Sequence, residues 1–129
     1  MRLVGFLPEI ELFDFKRGPA RPGNGYNPDV DIFETDMDLV IEAEVPGIAR
    51  EDLKLNIEDD ILTLEGEKKK ENKDEEYLYK ESKEGRFSQS FSLPENADKD
   101  KIKAKFENGV LRIIIPKVKV LKPKEVTIN

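Results

Sequence analysis

Two stretches of the chain alternate apolar and polar residues on either side of a two-residue turn. In residues 101–117 the turn is Asn108-Gly109, a pair that tolerates the positive φ angles of a type I′ hairpin. A two-residue turn also fixes which residues face each other. The predicted apolar pairs are Phe106 with Leu111, Ala104 with Ile113, and Ile102 with Ile115.

Residues 52–67 follow the same pattern, with Asp59-Asp60 at the turn. The register then pairs Ile57 with Leu62 and Leu55 with Leu64 on a buried face, and Asn56 with Thr63 and Lys54 with Glu65 on a wet face. A shift of the strand register by one residue would expose all of these apolar side chains to water. The alternation therefore favours a single register.

Further alternating runs occupy residues 29–35 and 38–45, and a third ends at Pro94. In that third run Phe87, Phe91 and Leu93 share one face, and three serines share the other. Seven or eight short strands without a convincing helix predict an all-β protein, an immunoglobulin-like antiparallel β-sandwich.

The amino-acid composition argues against several classes of function. The chain has 129 residues, enough for one domain with tails, and 39% of them are charged with a net charge of -6. The acidic balance argues against nucleic acid as a partner, and no apolar run is long enough for stable membrane insertion. The N-terminus does not resemble a signal peptide, so we expect a cytoplasmic protein. High charge and the absence of cysteine suit a thermophile.

The chain contains no histidine and no cysteine. Their absence removes disulfides, thiolate nucleophiles, the usual zinc sites and histidine acid–base relays. No phosphate-binding loop motif is present, and acidic pairs such as Asp59-Asp60 fall where turns are predicted. The sequence therefore predicts no enzyme activity, no cofactor and no metal.

Three segments lie outside the predicted sandwich. Residues 1–27 form an arm and a Gly/Pro-rich linker, read either as a binding arm or as a first element docked on the domain. Residues 65–86 carry Tyr77-Leu78-Tyr79, either on a solvated hairpin extension or as a strand that pairs with a second molecule. The tail, residues 117–129, places Val126 and Ile128 one residue apart. It could fill a groove, form a last strand of its own sandwich or be disordered.

Four motifs occur in order along residues 28–128. They are residues 104–111 (AKFENGVL), Val45-Pro46-Gly47, the Gly85-x-Phe87-x-x-x-Phe91-x-Leu93-Pro94 run, and Val126-Thr127-Ile128. Together they resemble the small heat-shock proteins, whose shared unit is the α-crystallin domain. The resemblance implies an N-terminal arm and linker at 1–27, an α-crystallin β-sandwich at 28–116 and a C-terminal extension at 117–129.

The resemblance also implies a function. Such proteins are ATP-independent holdases that bind partly unfolded client proteins and suppress aggregation as large homo-oligomers built from dimers. By this resemblance, Tyr77-Leu78-Tyr79 is the dimer loop strand, and Val126 and Ile128 dock between sheet edges of a neighbouring dimer. The expected tail-accepting groove consists of Leu53, Leu55, Ile102 and Ala104. The expected client-binding arm residues are Phe6, Leu7, Ile10, Leu12, Phe13 and Phe15. The alternative is a monomeric p23-like or CS-type co-chaperone module, which shares the strands but lacks the tail motif.

The sequence departs from the family pattern at two positions. Gln89 and Ser82 stand where arginines are common. An interface ion pair that other members use at these positions is therefore not predicted for this chain.

Overall fold

The described part of the chain folds into eight strands. The computed structural model describes residues 15–17, 26–70, 75–118 and 126–129. The strands are β1 (Phe15–Arg17), β2 (Val30–Glu34), β3 (Asp38–Glu44), β4 (Leu53–Glu58), β5 (Ile61–Lys68), β6 (Gly85–Ser92), β7 (Lys103–Glu107) and β8 (Val110–Pro116). Two short 3-10 turns, Arg50–Asp52 and Lys99–Lys101, precede β4 and β7.

The strands divide into two antiparallel sheets of four. The first sheet has the order β1-β6-β5-β4 and the second has the order β2-β3-β8-β7. Their apolar faces share one buried cluster, to which β5 and β6 contribute from one side and β3 and β8 from the other. This arrangement confirms the predicted all-β sandwich.

Both predicted hairpin turns adopt the backbone that their registers require. The φ angles are 51° at Asp59, 63° at Asp60, 53° at Asn108 and 74° at Gly109, as a two-residue turn with two left-handed positions demands. Every predicted pair of the β4–β5 hairpin is present. In the β7–β8 hairpin Phe106 faces Leu111 and Ala104 faces Ile113.

The pairing of Ile102 with Ile115 is not formed, and that prediction is wrong. The β7–β8 ladder ends where Lys103 faces Ile114. Ile102 instead caps the 3-10 turn Lys99–Lys101, in which the amide of Lys101 donates to the carbonyl of Asp98. The turn redirects the chain before it can extend the sheet.

The core sits between the sheets and follows the alternation of the strands. Its fully covered side chains include Ile41, Leu62, Leu64, Phe91, Ile113 and Ile115, each 0% exposed. The serines of β6 lie on the opposite, outer face, where the hydroxyl of Ser90 is 3.4 Å from that of Thr63 on β5. Apart from the buried Gln89, the first sheet is thus apolar inside and polar outside, as the sequence predicts.

The end of the N-terminal arm belongs to the sandwich. β1 pairs with β6, with Phe15 opposite Phe91 and Arg17 opposite Gln89. Of the two interpretations of the arm, a docked first element therefore describes residues Phe15–Arg17. The other predicted arm residues, Phe6, Leu7, Ile10, Leu12 and Phe13, lie outside the described residues.

Candidate binding groove and assembly surfaces

A groove opens between β4 and β7, each of which is one of the two outer strands of its sheet. Its volume is about 210 Å³. The lining residues are Arg50, Leu53, Lys54, Leu55, Leu64, Ala104, Phe106 and Leu111. Both strands end their sheets, so within the described chain each has one side free to pair with a further strand.

Alternation along the two edge strands gives the groove its apolar interior. Leu53 and Leu55 point inward from β4 and are half-buried, whereas Lys54 between them is exposed. On β7, Phe106 is half-buried and Ala104 is exposed. Leu64 and Leu111, which are 0% and 6% exposed, contribute from the adjacent strands. The result is an apolar floor that is open to solvent, a shape suited to aliphatic side chains.

The structure brings together three of the four predicted groove residues. Leu53, Leu55 and Ala104 line the groove. Ile102 does not line it, because it lies in the turn before β7 and packs, half-buried, against the core. Phe106 was missed, although it shares a face with Ala104 in the predicted hairpin. The cationic residues Arg50 and Lys54 carry no signal in an apolar pattern and could not be found in that way.

The tail exposes both residues of its apolar pair. Val126 is 77% exposed and Ile128 is 94% exposed, and residues 126–129 form no strand. In this single chain, neither side chain is covered by the chain's own sheets. The remainder of the tail, from residue 119 to residue 125, lies outside the described residues.

The loop segment Tyr77-Leu78-Tyr79 is also exposed. It has no strand structure in the single chain, and Leu78 is 105% exposed. The ammonium groups of Lys70 and Lys80 lie 5.5 Å and 5.1 Å from the ring centre of Tyr77. The hydroxyl of Tyr79 donates to the Glu81 carboxylate at 2.5 Å, and this bond raises the pKa of Tyr79. The segment is held by polar and cationic contacts and leaves its leucine uncovered.

The first strand of the second sheet, β2, is a further open edge in the described chain. Phe33 on this strand is 42% exposed. Near its start, the Tyr26 ring packs edge-on against Phe87, with ring centres 5.8 Å apart. Burial, with the carboxylates of Asp29 and Glu44, raises the pKa of Tyr26. Aromatic packing thus fixes the chain that leads into this edge.

Gln89 lies inside the sandwich and is 0% exposed. Its Nε2 donates to the carbonyl of Pro28 at 3.1 Å, which joins the two sheets near the start of β2. Its Oε1 has no hydrogen-bond partner within the described parts of the chain. Ser82, the other departure, is exposed and accepts two hydrogen bonds from Lys80 through its carbonyl and hydroxyl. Gln89 is therefore a core residue in this chain.

A sequence profile of the Hsp20/alpha crystallin family matches residues 31–129. The chain belongs to this family. Small heat shock protein C2 of Rickettsia felis is 43% identical over 104 residues, which cover 79% of this chain and 68% of that protein. Small heat shock protein C4 of the same organism is 39% identical over 127 residues, which cover 96% of this chain and 76% of that protein.

Solved structures of small heat-shock proteins share the sandwich. One from Xylella fastidiosa superposes with a TM-score of 0.72 at 34% identity, covering 81% of this chain and 97% of that one. Heat shock protein 16.0 of Schizosaccharomyces pombe gives 0.69 at 32% identity, covering 84% and 78%. The resemblance drawn from the sequence motifs is confirmed, and membership of this family implies a chaperone function.

Two further features are absent from the described residues of this small heat-shock protein. No helix among them is long and apolar enough to cross a membrane. Within the same part of the chain, no three His, Cys, Asp or Glu side chains are grouped so that they could hold a metal ion. The groove, the tail and the exposed loop are therefore the features on which a functional proposal rests.

Proposed function

We propose that this chain is an ATP-independent holdase that binds partly unfolded proteins and prevents their aggregation as a large oligomer built from dimers. The observation that carries this proposal is an open apolar groove between two sheet edges, in a chain whose tail leaves Val126 and Ile128 exposed. Exposed apolar surface on a free monomer promotes aggregation, so it requires a partner surface.

The tail of one subunit fits the groove of another. In an extended chain the side chains of Val126 and Ile128 point the same way, so both can enter the groove while the backbone pairs with the edge of β4 or β7. Burying two aliphatic side chains contributes about 3 to 6 kcal/mol. A contact of that size holds an oligomer together and still releases, so the groove becomes periodically available to clients.

The dimer uses one of the two remaining outer strands, β1 and β2. We assign this role to β2, which is the longer of the two and leaves Phe33 exposed, so that it accepts Tyr77-Leu78-Tyr79 from a second subunit. Pairing there would remove Leu78 from solvent and lengthen the second sheet by one strand. The Xylella fastidiosa relative is described as having a distinct high-order structure, which supports assembly beyond a dimer.

The apolar residues of the N-terminal arm are the proposed client-binding surface. Those beyond the sandwich are Phe6, Leu7, Ile10, Leu12 and Phe13. Phe15 pairs with β6 through its backbone, so the arm is attached to the domain at a defined place. Clients that expose apolar segments would meet this arm and the vacated grooves together.

The test combines size and protection. Replacing Val126→Ala together with Ile128→Ala should reduce the native mass to that of a dimer, because most of the apolar area that enters the groove is lost. Thr127→Ala, which alters the side chain between them, is the matched control and should retain the full assembly. Heat-induced client aggregation, followed by light scattering in the presence of each variant, measures protection. An undiminished oligomer in the double variant would refute the role of the tail, and failure of the wild-type chain to protect any client would refute the holdase function.

A further inference from the structure

The rim of the groove carries two positive charges. Within the described part of the chain, Arg50 and Lys54 are the only charged residues that line it, and both side chains are exposed. Among the described residues, neither has a carboxylate within ion-pairing distance. Nearby Asp52 is bound by Lys69 at 3.0 Å. Neither neighbouring glutamate forms an ion pair with these cations. They are Glu51, which follows Arg50 in the chain, and Glu65, which faces Lys54 in the strand register. The two cations are available to an incoming ligand.

The tail carries a carboxylate directly before its apolar pair. The sequence reads Lys-Pro-Lys-Glu-Val-Thr-Ile, with Glu125 next to Val126. Successive residues of an extended chain are about 3.3 Å apart. When Val126 occupies the groove, the Glu125 carboxylate is therefore held within reach of the rim. Lys122 and Lys124 stand on the far side of Glu125 from the apolar pair.

We propose that the groove selects an extended apolar-x-apolar segment preceded by a carboxylate, and that Arg50 and Lys54 are the residues that read the carboxylate. The occupant in the resting assembly is the tail of another copy of this chain, with Glu125 at the rim. This inference rests on the proposed docking of the tail. The apolar floor alone would not distinguish ligands by the charge of the residue that precedes the apolar pair. The two cations add that requirement.

The charge requirement also sets the direction of the tail. Arg50 and Lys54 flank Leu53, at the start of β4. Glu125 at the rim places Val126 nearest Leu53 and sends Ile128 towards Leu55, parallel to β4. Client segments with an acidic residue ahead of two aliphatic ones compete for the same site, and segments with a lysine in that place are disfavoured by like charge.

The experiment uses the full chain with Val126→Ala and Ile128→Ala, which vacates its own grooves. Fluorescently labelled peptides of residues 122–129 are titrated by anisotropy in three forms: the native sequence, Glu125→Gln and Glu125→Lys. At low salt we expect the neutral peptide to bind about threefold more weakly than the native one, and the lysine peptide about tenfold more weakly. At 1 M salt, where the screening length is about 3 Å, the three affinities should converge.

Reversing the charge of the two rim residues provides the decisive comparison. In the same chain carrying Arg50→Glu and Lys54→Glu, the lysine peptide should bind more tightly than the native one. Lys83→Glu with Lys101→Glu alters the net charge equally, away from the groove lining, and should keep the native order. Equal affinities for the three peptides, or an order unaffected by the rim reversal, would overturn charge selection while leaving tail docking intact. If no peptide binds at all, tail docking itself fails, and the inference fails with it.

Discussion

A methyl group added at Gly66 should clash with side chains from both neighbouring strands of the first sheet. Gly66 lies in β5 between Leu53 of β4 and Phe87 of β6. A Cβ atom built there would be 2.5 Å from Cε1 and 2.7 Å from Cζ of Phe87, and 3.0 Å from Cδ2 of Leu53. Carbon atoms in favourable contact are about 3.5 to 4.0 Å apart. The Phe87 ring, which is 5% exposed, would therefore have to move by about 1 Å inside a packed core.

Overpacking of this kind costs about 1 to 3 kcal/mol. For Gly66→Ala we expect a loss near 2 kcal/mol in urea unfolding at a fixed subunit concentration, and a melting temperature lower by about 10 °C. Glu65→Ala, at the exposed neighbouring position, is the control and should change stability by no more than about 0.5 kcal/mol. Because Leu53 also lines the groove, Gly66→Ala should weaken binding of the tail peptide as well.

A second substitution tests whether the ring is the cause. Phe87→Leu shortens the side chain that the new methyl group meets, so it should cost less stability in the Gly66→Ala chain than in the wild type. Such non-additivity is expected only for residues in direct contact. If Gly66→Ala leaves stability unchanged, or if the effects of the two substitutions simply add, the new methyl group does not clash with the Phe87 ring.

Three further predictions follow from the structure. Gln89→Glu places a carboxylate beside the Pro28 carbonyl in a fully buried site, so the pKa of the new carboxyl group should be raised. The variant should be less stable than wild type by about 3 kcal/mol at pH 7 and should recover stability as the pH falls and the group is protonated. A stability loss that does not depend on pH in urea titrations would count against this. Leu78→Asp should shift the dimer towards monomer in analytical ultracentrifugation, since it puts a charge where a buried leucine is proposed; an unchanged mass would exclude the loop from the interface. Deleting residues 1–14 keeps β1 and should lower client protection while leaving the melting temperature within a few degrees of wild type; undiminished protection would remove the arm from client binding.

Local chemistry made the hairpins predictable from the sequence. Asn108-Gly109 and Asp59-Asp60 impose a two-residue turn, and a single turn of known length sets every pair along the two strands beside it. The predicted pairing fails at Ile102, where the apolar-polar alternation of the sequence extends beyond the end of the strand. A 3-10 turn has no period-two signature, so apolar patterning carried the strand one residue too far.

The groove was harder to predict because it belongs to two sheets. Its residues come from β4, β5, β7 and β8 and from the turn that contains Arg50, and no local pattern states which strand edges become neighbours. The pairing of the three-residue strand β1 is not predictable from a local pattern for a similar reason. Its pairing with β6 depends on an unoccupied edge far away in the sequence. Residues such as Gln89 are the opposite case, since the alternation predicts the buried face but not the carbonyl of Pro28 that receives its hydrogen bond.

Disulfide trapping shows whether the tail of one subunit occupies the groove of another. The chain contains no cysteine, so Ala104→Cys in one population and Ile128→Cys in a second, size-tagged population introduce a single thiol each. After mixing and mild oxidation, the account predicts a disulfide-linked pair of one tagged and one untagged subunit, and little linkage when Glu95→Cys replaces Ala104→Cys. A chain carrying both Ala104→Cys and Ile128→Cys that closes its disulfide within itself, in place of linking to a second chain, would contradict the account.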